Sequence, residues 1–95
     1  MNLTLESIVQ RINFDVAETE FEGNIVLMHI ENGKYYNLNA TSSDLWRWLE
    51  EKTLVTDLVA KLCAKYDCSH NLAKQDVFLF LQHLFDINLL YVNSI

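Results

Sequence analysis

The sequence predicts an α+β domain: a three-stranded antiparallel β-meander, then three helices, then a short terminal strand. Three observations lead there. Residues 14–38 alternate short β-prone runs with two glycine-containing turns, Gly23-Asn24 and Asn32-Gly33. Past residue 40 the apolar spacing becomes helical, and Thr41, Thr53 and Ser69 stand where three helices would begin. Proline is absent and only two glycines occur, so nothing has linker composition and residues 1–95 read as one domain.

Residues 1–12 place Leu5, Ile8, Val9 and Ile12 at helical spacing, yet the segment is short and rich in β-branched side chains. Both states stay open, with an extended N-terminal arm preferred. The meander occupies 13–38. Phe14 to Phe21 is its first strand, Ile25 to Ile30 a strongly apolar second, and Lys34 to Leu38 the third. Asn32-Gly33 reads as a two-residue type I′ turn, which pairs Glu31 with Lys34 and His29 with Tyr36. Tyr35 and Asn37 then turn their N–H and C=O groups away from the second strand. Their side chains lie opposite those of Tyr36 and Leu38, which are expected to face the helices.

Helices are expected over 41–87. Thr41 with Asp44 resembles a capping box for the first, about 42–50, which buries Leu45 and Leu49. Thr53 is a cap for the second, where Val55, Leu58, Val59, Leu62 and Tyr66 share one face. Ser69 is a cap for the third, about 70–87. Asn88 suits the left-handed turn that ends it, and residues 89–92 form the terminal strand.

Composition narrows the function. A net charge of −6 over 95 residues disfavours nucleic acid, whose phosphates demand a basic face. No run approaches the roughly 18 apolar residues of a spanning helix, and no basic-then-apolar signal segment opens the chain, so no membrane partner and a cytoplasmic location are expected. Cys63 and Cys68, five apart, match neither a CxxC redox motif nor a zinc knuckle and read as free thiols. His29, His70 and His83 are scattered. There is no phosphate loop, nucleophile elbow or paired acid and base, so no catalytic residue, metal or cofactor is assigned. The chain reads as a non-catalytic binding module.

The third helix points to where binding occurs. Ala73, Val77, Leu81 and Leu84 make a core stripe, but Phe78, Leu79, Phe80 and Phe85 widen it well beyond the ~100° of an ordinary surface helix. Such a helix either lies under other elements or keeps part of its face for a ligand. Asp76, Leu79, Phe80 and His83 form one edge of the stripe, Phe78 and Phe85 the other.

In Gly33-Lys34-Tyr35-Tyr36-Asn37-Leu38-Asn39-Ala40-Thr41, followed by Leu45-Trp46, the chain resembles the PqqD-like family. These are the small recognition elements of ribosomally made, modified peptide (RiPP) pathways. The second helix from Thr53 to Tyr66 matches as well. So do Ala73, Asp76-Val77, Phe80-Leu81 and Leu84 in the third, and then Leu89-Leu90, so the similarity spans about residues 14–92. The resemblance implies a winged helix-turn-helix-like arrangement and a domain that binds the leader of a precursor peptide. By that resemblance the leader adds as a strand to the third β-strand, beside the third helix. The expected contacts are Lys34, Tyr35, Tyr36, Asn37 and Leu38 on the strand, with Asp76, Leu79, Phe80 and His83 on the helix. The form of the motif looks most like the stand-alone leader-binding proteins of lasso-peptide pathways, whose partners are a leader peptidase and a cyclase. Alternatives are a PqqD-like chaperone serving a radical enzyme and a winged-helix nucleic-acid binder. A monomer or weak dimer is expected.

Overall fold

A computed structural model of the chain describes residues 2–93. In chain order the elements are β1 (Ile8–Arg11), β2 (Val16–Phe21), β3 (Asn24–His29), β4 (Tyr35–Asn37), α1 (Ala40–Trp48), β5 (Thr53–Leu54), α2 (Val55–Tyr66), α3 (His70–Asp86) and β6 (Leu90–Asn93). The expected meander is present as an antiparallel sheet in the order β2-β3-β4, and three helices follow it. The fold class is α+β, as the sequence predicts.

The two turns exchange roles. Phe21 pairs with Asn24, so Glu22 and Gly23 close β2 onto β3, both with positive φ (52° and 85°), the pattern of a type I′ turn. The Asn32-Gly33 turn is wider than expected. His29 N–H donates to Lys34 C=O (2.9 Å) and Gly33 N–H to His29 C=O (2.8 Å), which leaves residues 30–33 as a four-residue loop. Only Gly33 has positive φ there (71°), because the Asn32 side chain turns outward to accept the Lys34 N–H at 2.8 Å. Tyr36 therefore pairs with Leu27, not with His29, and Glu31 does not pair with Lys34. The register slips by two residues. An even slip leaves every side chain on its expected face.

Residues 1–12 hold more than an arm. β1 is the central strand of a second sheet, β5-β1-β6, in which Ile8 faces Leu54 and Val9 faces Val92. The segment before it closes α2: Ser7 C=O accepts from Val55 N–H and Leu5 C=O from Thr56 N–H, each at 3.0 Å. Two orphan donors of the helix start are thereby satisfied by main chain, so Thr53 is not the cap. It lies in β5, and the N-cap Leu54 makes no side-chain bond.

The capping box on α1 is also corrected. Asn39 is the N-cap, its side chain accepting from Ser42 N–H at 2.9 Å, and helix begins at Ala40. Asp44 points inward instead, taking Lys65 at 2.7 Å, Arg47 at 3.3 Å and a short hydrogen bond from the Tyr66 hydroxyl. Beside it, buried Ser43 locks α1 to the sheet. Its hydroxyl accepts from Ile25 N–H (2.9 Å) and donates to Leu38 C=O (3.4 Å), while Leu38 N–H donates directly to Ile25 C=O (2.9 Å).

α3 behaves as expected at both ends. Ser69 accepts from Leu72 N–H at 3.2 Å, and Asn88 (φ 63°) closes a Schellman motif with Leu89 N–H on Leu84 C=O at 2.8 Å. The core joins Leu27 of the meander to Leu45, Trp46 and Leu49 of α1, Leu58 and Leu62 of α2, and Leu81 and Leu84 of α3. Each such side chain contributes about 1.5–3 kcal/mol on burial. Among the described residues no helix is long and apolar enough to cross a membrane.

Candidate functional site

Among the described residues β4 pairs only with β3, so its other side is an open sheet edge. The bonds His29 N–H to Lys34 C=O and Leu38 N–H to Ile25 C=O fix the alternation. Tyr36 bonds to Leu27, and Tyr35 and Asn37 present their N–H and C=O groups outward. Four backbone groups are thus free for another extended chain.

Side chains divide across the sheet. Tyr35, 68% exposed, and Asn37 lie on the outer face. Tyr36 is half-buried and Leu38 buried on the helix side. Tyr36 meets α3 directly, its ring edge-on to His83 with centroids 5.5 Å apart and planes at 74°. Its hydroxyl also accepts from the Asn32 amide at 3.4 Å, tying the loop to the pair.

That contact places one edge of α3 beside β4. Asp76, Leu79 and Phe80 share the edge with His83. Leu79 is 71% exposed, whereas Phe80, at 7%, has gone into the core. Asp76 and His83 are exposed. Phe78 and Phe85 sit on the opposite edge, with Phe78 packed on the core beneath the Lys74 ammonium, 5.9 Å from its ring centre. Lys34 is exposed at the far end of β4, where a hollow of about 270 Å³ lies between the hairpin (Glu31, Asn32, Lys34, Tyr36) and the end of α3 (Asp86, Ile87, Asn88). Thus β4 and α3 run in opposite directions, Lys34 near the helix end and Tyr36 one turn earlier.

Leu72 is the residue that sequence reasoning missed. At 56% exposed it continues the Asp76, Leu79 and His83 stripe by one turn, and the spacing 72, 76, 79, 83 was its signal. A larger hollow, about 650 Å³, is lined by Asn71, Lys74, Gln75, Phe78 and Leu79, so Leu79 borders it as well as the edge of α3 that carries His83. With walls from a single helix among the described residues, it lacks the second wall that β4 supplies to the cleft. No three His, Cys, Asp or Glu side chains group closely enough to hold a metal among the described residues. His29 is buried with its Nε2 2.9 Å from Ile87 C=O, a link between β3 and the end of α3.

An open strand edge walled by an apolar helix face defines a small α+β domain with a strand-sized cleft. The chain belongs to the PqqD family: the model described as coenzyme PQQ synthesis protein D matches residues 24–90, from the start of β3 through all of α3. Among solved structures it is similar to TbiB1 in complex with the TbiA(beta) leader peptide. The identity is 28%, 90% of this chain and 100% of that one are covered, and the TM-score is 0.77. No curated protein sequence matches significantly.

Proposed function

We infer that this domain binds the leader segment of a ribosomally made precursor peptide, as a strand added to β4, and presents it to a processing enzyme. The observation that carries the reading is the pairing of free backbone groups at Tyr35 and Asn37 with the exposed Leu72, Asp76, Leu79 and His83 stripe alongside. Backbone bonds would supply affinity. Alternate leader side chains would enter the space between Tyr36, Leu38 and α3, where specificity resides. Lys34 stands at the end of the same edge, and Phe80 backs the wall from within the core.

The likeness to a leader-bound protein supports this reading, and the lasso-peptide class follows the form of the motif. The partners are then a leader peptidase and a cyclase, in the cytoplasm, with the domain monomeric or weakly dimeric and the helices in a winged-helix arrangement. The family model's description, coenzyme PQQ synthesis protein D, supports a second reading, another modified-peptide pathway such as that cofactor's synthesis, in which leader binding would serve a radical enzyme. Both pathways use the cleft without catalysis by the domain itself. The test is a fluorescence-polarisation titration with the labelled leader of the precursor encoded beside this chain. Saturable binding that a scrambled leader does not reproduce is expected, and equal binding of both peptides rejects the reading.

A further inference from the structure

We propose that His29 is the positioning residue of the cleft between β4 and α3: its neutral imidazole latches the hairpin loop to the end of α3, and protonation opens the latch on the loop side. The effect on leader affinity rests on the binding reading above, whereas the latch itself does not. The contacts around buried His29 close into a circuit. Its Nε2 lies 2.9 Å from Ile87 C=O, and Ile87 N–H donates to His83 C=O at 3.2 Å, one turn back in α3. The His83 ring meets Tyr36 edge-on, and the Tyr36 hydroxyl accepts from the Asn32 amide at 3.4 Å. Asn32 N–H then returns to His29 Nδ1 at 3.5 Å. His29, Asn32, Tyr36 and Ile87 also line the hollow of about 270 Å³ at this end of the cleft. The His29 main chain holds the same corner, its N–H on Lys34 C=O and its C=O taking Gly33 N–H. Among the described residues its bond to Ile87 is the one hydrogen bond between the meander and residues 70–87, so cleft width depends on it and on the Tyr36–His83 contact.

The partners dictate the protonation state. A carbonyl only accepts, so Nε2 carries the hydrogen; a main-chain N–H only donates, so Nδ1 keeps its lone pair. The neutral Nε2–H tautomer alone satisfies both. A second proton, on Nδ1, turns a donor towards the Asn32 N–H and leaves the bond to Ile87 in place. Acid therefore frees the loop and not the helix end. With the loop goes the Asn32 amide on the Tyr36 hydroxyl, and so the restraint on the ring that faces His83. The charged groups around this corner are Glu31 and Lys34 of the hairpin, Asp86 of α3, which accepts from the Gln82 amide at 2.9 Å, and Asp15 ahead of β2, whose C=O accepts from Ile30 N–H. His83 stands one turn before Ile87. Among the described residues neither ring nitrogen of His29 bonds to any of these side chains.

The experiment follows the histidine ring nitrogens, the Asn32 amide and the Tyr36 ring by NMR in the free whole chain, from about pH 7.5 to about pH 5. Expected at the upper end is the Nε2–H tautomer of His29, and on acidification the Asn32 and Tyr36 signals should move with the His29 transition. Fluorescence polarisation with the labelled leader should show affinity falling about 2–10-fold across that transition, the worth of one hydrogen bond. His29→Gln keeps a donor for Ile87 C=O but no acceptor at the place of Nδ1. It should bind at the low-pH level throughout and lose this step, keeping only what His83, Asp76 and the peptide contribute. An Nδ1–H tautomer or an imidazolium at the upper end overturns the proposal. So do Asn32 and Tyr36 signals or a leader affinity that ignore the His29 transition, and a folded His29→Gln protein as acid-sensitive as the wild type. Where His29→Gln does not fold, the wild-type titrations decide. Failure of any peptide to bind at any pH would instead reject the binding reading, with the tautomer and the loop coupling of the free chain still deciding the latch.

Discussion

Proline scanning of β4 separates the proposed peptide-binding edge from the sheet that carries it. At Tyr35 and Asn37 the backbone N–H faces outward, so proline there removes a donor only a bound strand would use. Tyr36, which precedes position 37, is already in the strand, as proline there requires. At Tyr36 the N–H belongs to the ladder with Leu27, and the side chain packs edge-on to His83. Losing a ladder bond there costs about 1–3 kcal/mol, and losing a half-buried aromatic adds about 1–2 kcal/mol. At about 4–8 °C per kcal/mol for a domain of this size, Tyr36→Pro should lower Tm by roughly 10 °C or more. Tyr35→Pro and Asn37→Pro should stay folded and bind the labelled leader about 10–100-fold more weakly, one lost hydrogen bond plus a ring that blocks approach. Tyr35→Ala and Asn37→Ala, which keep the N–H, isolate the backbone contribution. Fluorescence polarisation beside thermal melts gives both readouts. Full-affinity binding by the folded Tyr35→Pro and Asn37→Pro proteins would refute strand addition at this edge.

Three further outcomes are expected. Leu79→Ala should weaken leader binding about 5–30-fold and Asp76→Ala about 2–5-fold in low salt, the latter through loss of attraction to a basic leader residue; if both bind normally while folded Phe78→Ala binds weakly, the leader lies on the other edge of α3. Purified protein should neither cleave nor modify a precursor peptide, and turnover followed by mass spectrometry that survives loss of both cysteines and all histidines would expose an overlooked active site. Burial pushes the Asp44 carboxyl up, but hydrogen bonds from Lys65 and Tyr66 and the charges of Lys65 and Arg47 outweigh it and hold the pKa below its ordinary 3.8; the stability this gives is present above that value and is lost as pH falls through the lowered one, so Asp44→Asn should flatten the acid limb of a Tm–pH curve and lower Tm at neutral pH.

What was legible in the sequence was what local chemistry decides. Ser69 and Asn88 mark the ends of α3 because a hydroxyl acceptor and a residue tolerant of positive φ act within one turn. The outward backbone of Tyr35 and Asn37 survived a wrong turn type because the register slipped by an even number. The errors came from competition and from distance. Asn32 was read as a turn residue with positive φ, but its side chain accepts the Lys34 N–H instead. Thr41 lost the cap to Asn39 while Asp44 was drawn to Lys65, a residue of α2 that no local pattern connects to it. β1 was ambiguous because its partners, Leu54 and Val92, lie far along the chain, and an isolated Ile8-Val9 pair fits helix and strand alike. Leu72 escapes such a reading because periodicity ranks core positions, and an exposed apolar position is one the core has declined.

An open edge is a hazard, and the geometry around β4 limits what can use it. The strand has only three residues, so the four outward groups of Tyr35 and Asn37 reward a short extended segment and little more. α3 stands over the helix-facing side of that edge, with Leu79 and His83 projecting beside it. An incoming sheet edge, which brings its own neighbouring strand and packed layer, would collide with this wall. A single unstructured peptide has nothing behind it and fits between the two. The Asn32–Tyr36–His83 contacts tie β4 to α3, and the Ser43 hydroxyl fixes the sheet on α1. If the leader adds at this edge as proposed, the ordering entropy of binding falls mainly on the peptide. On the proposed reading this arrangement would favour a disordered leader over a second folded copy, the wall rejecting what the edge alone would accept.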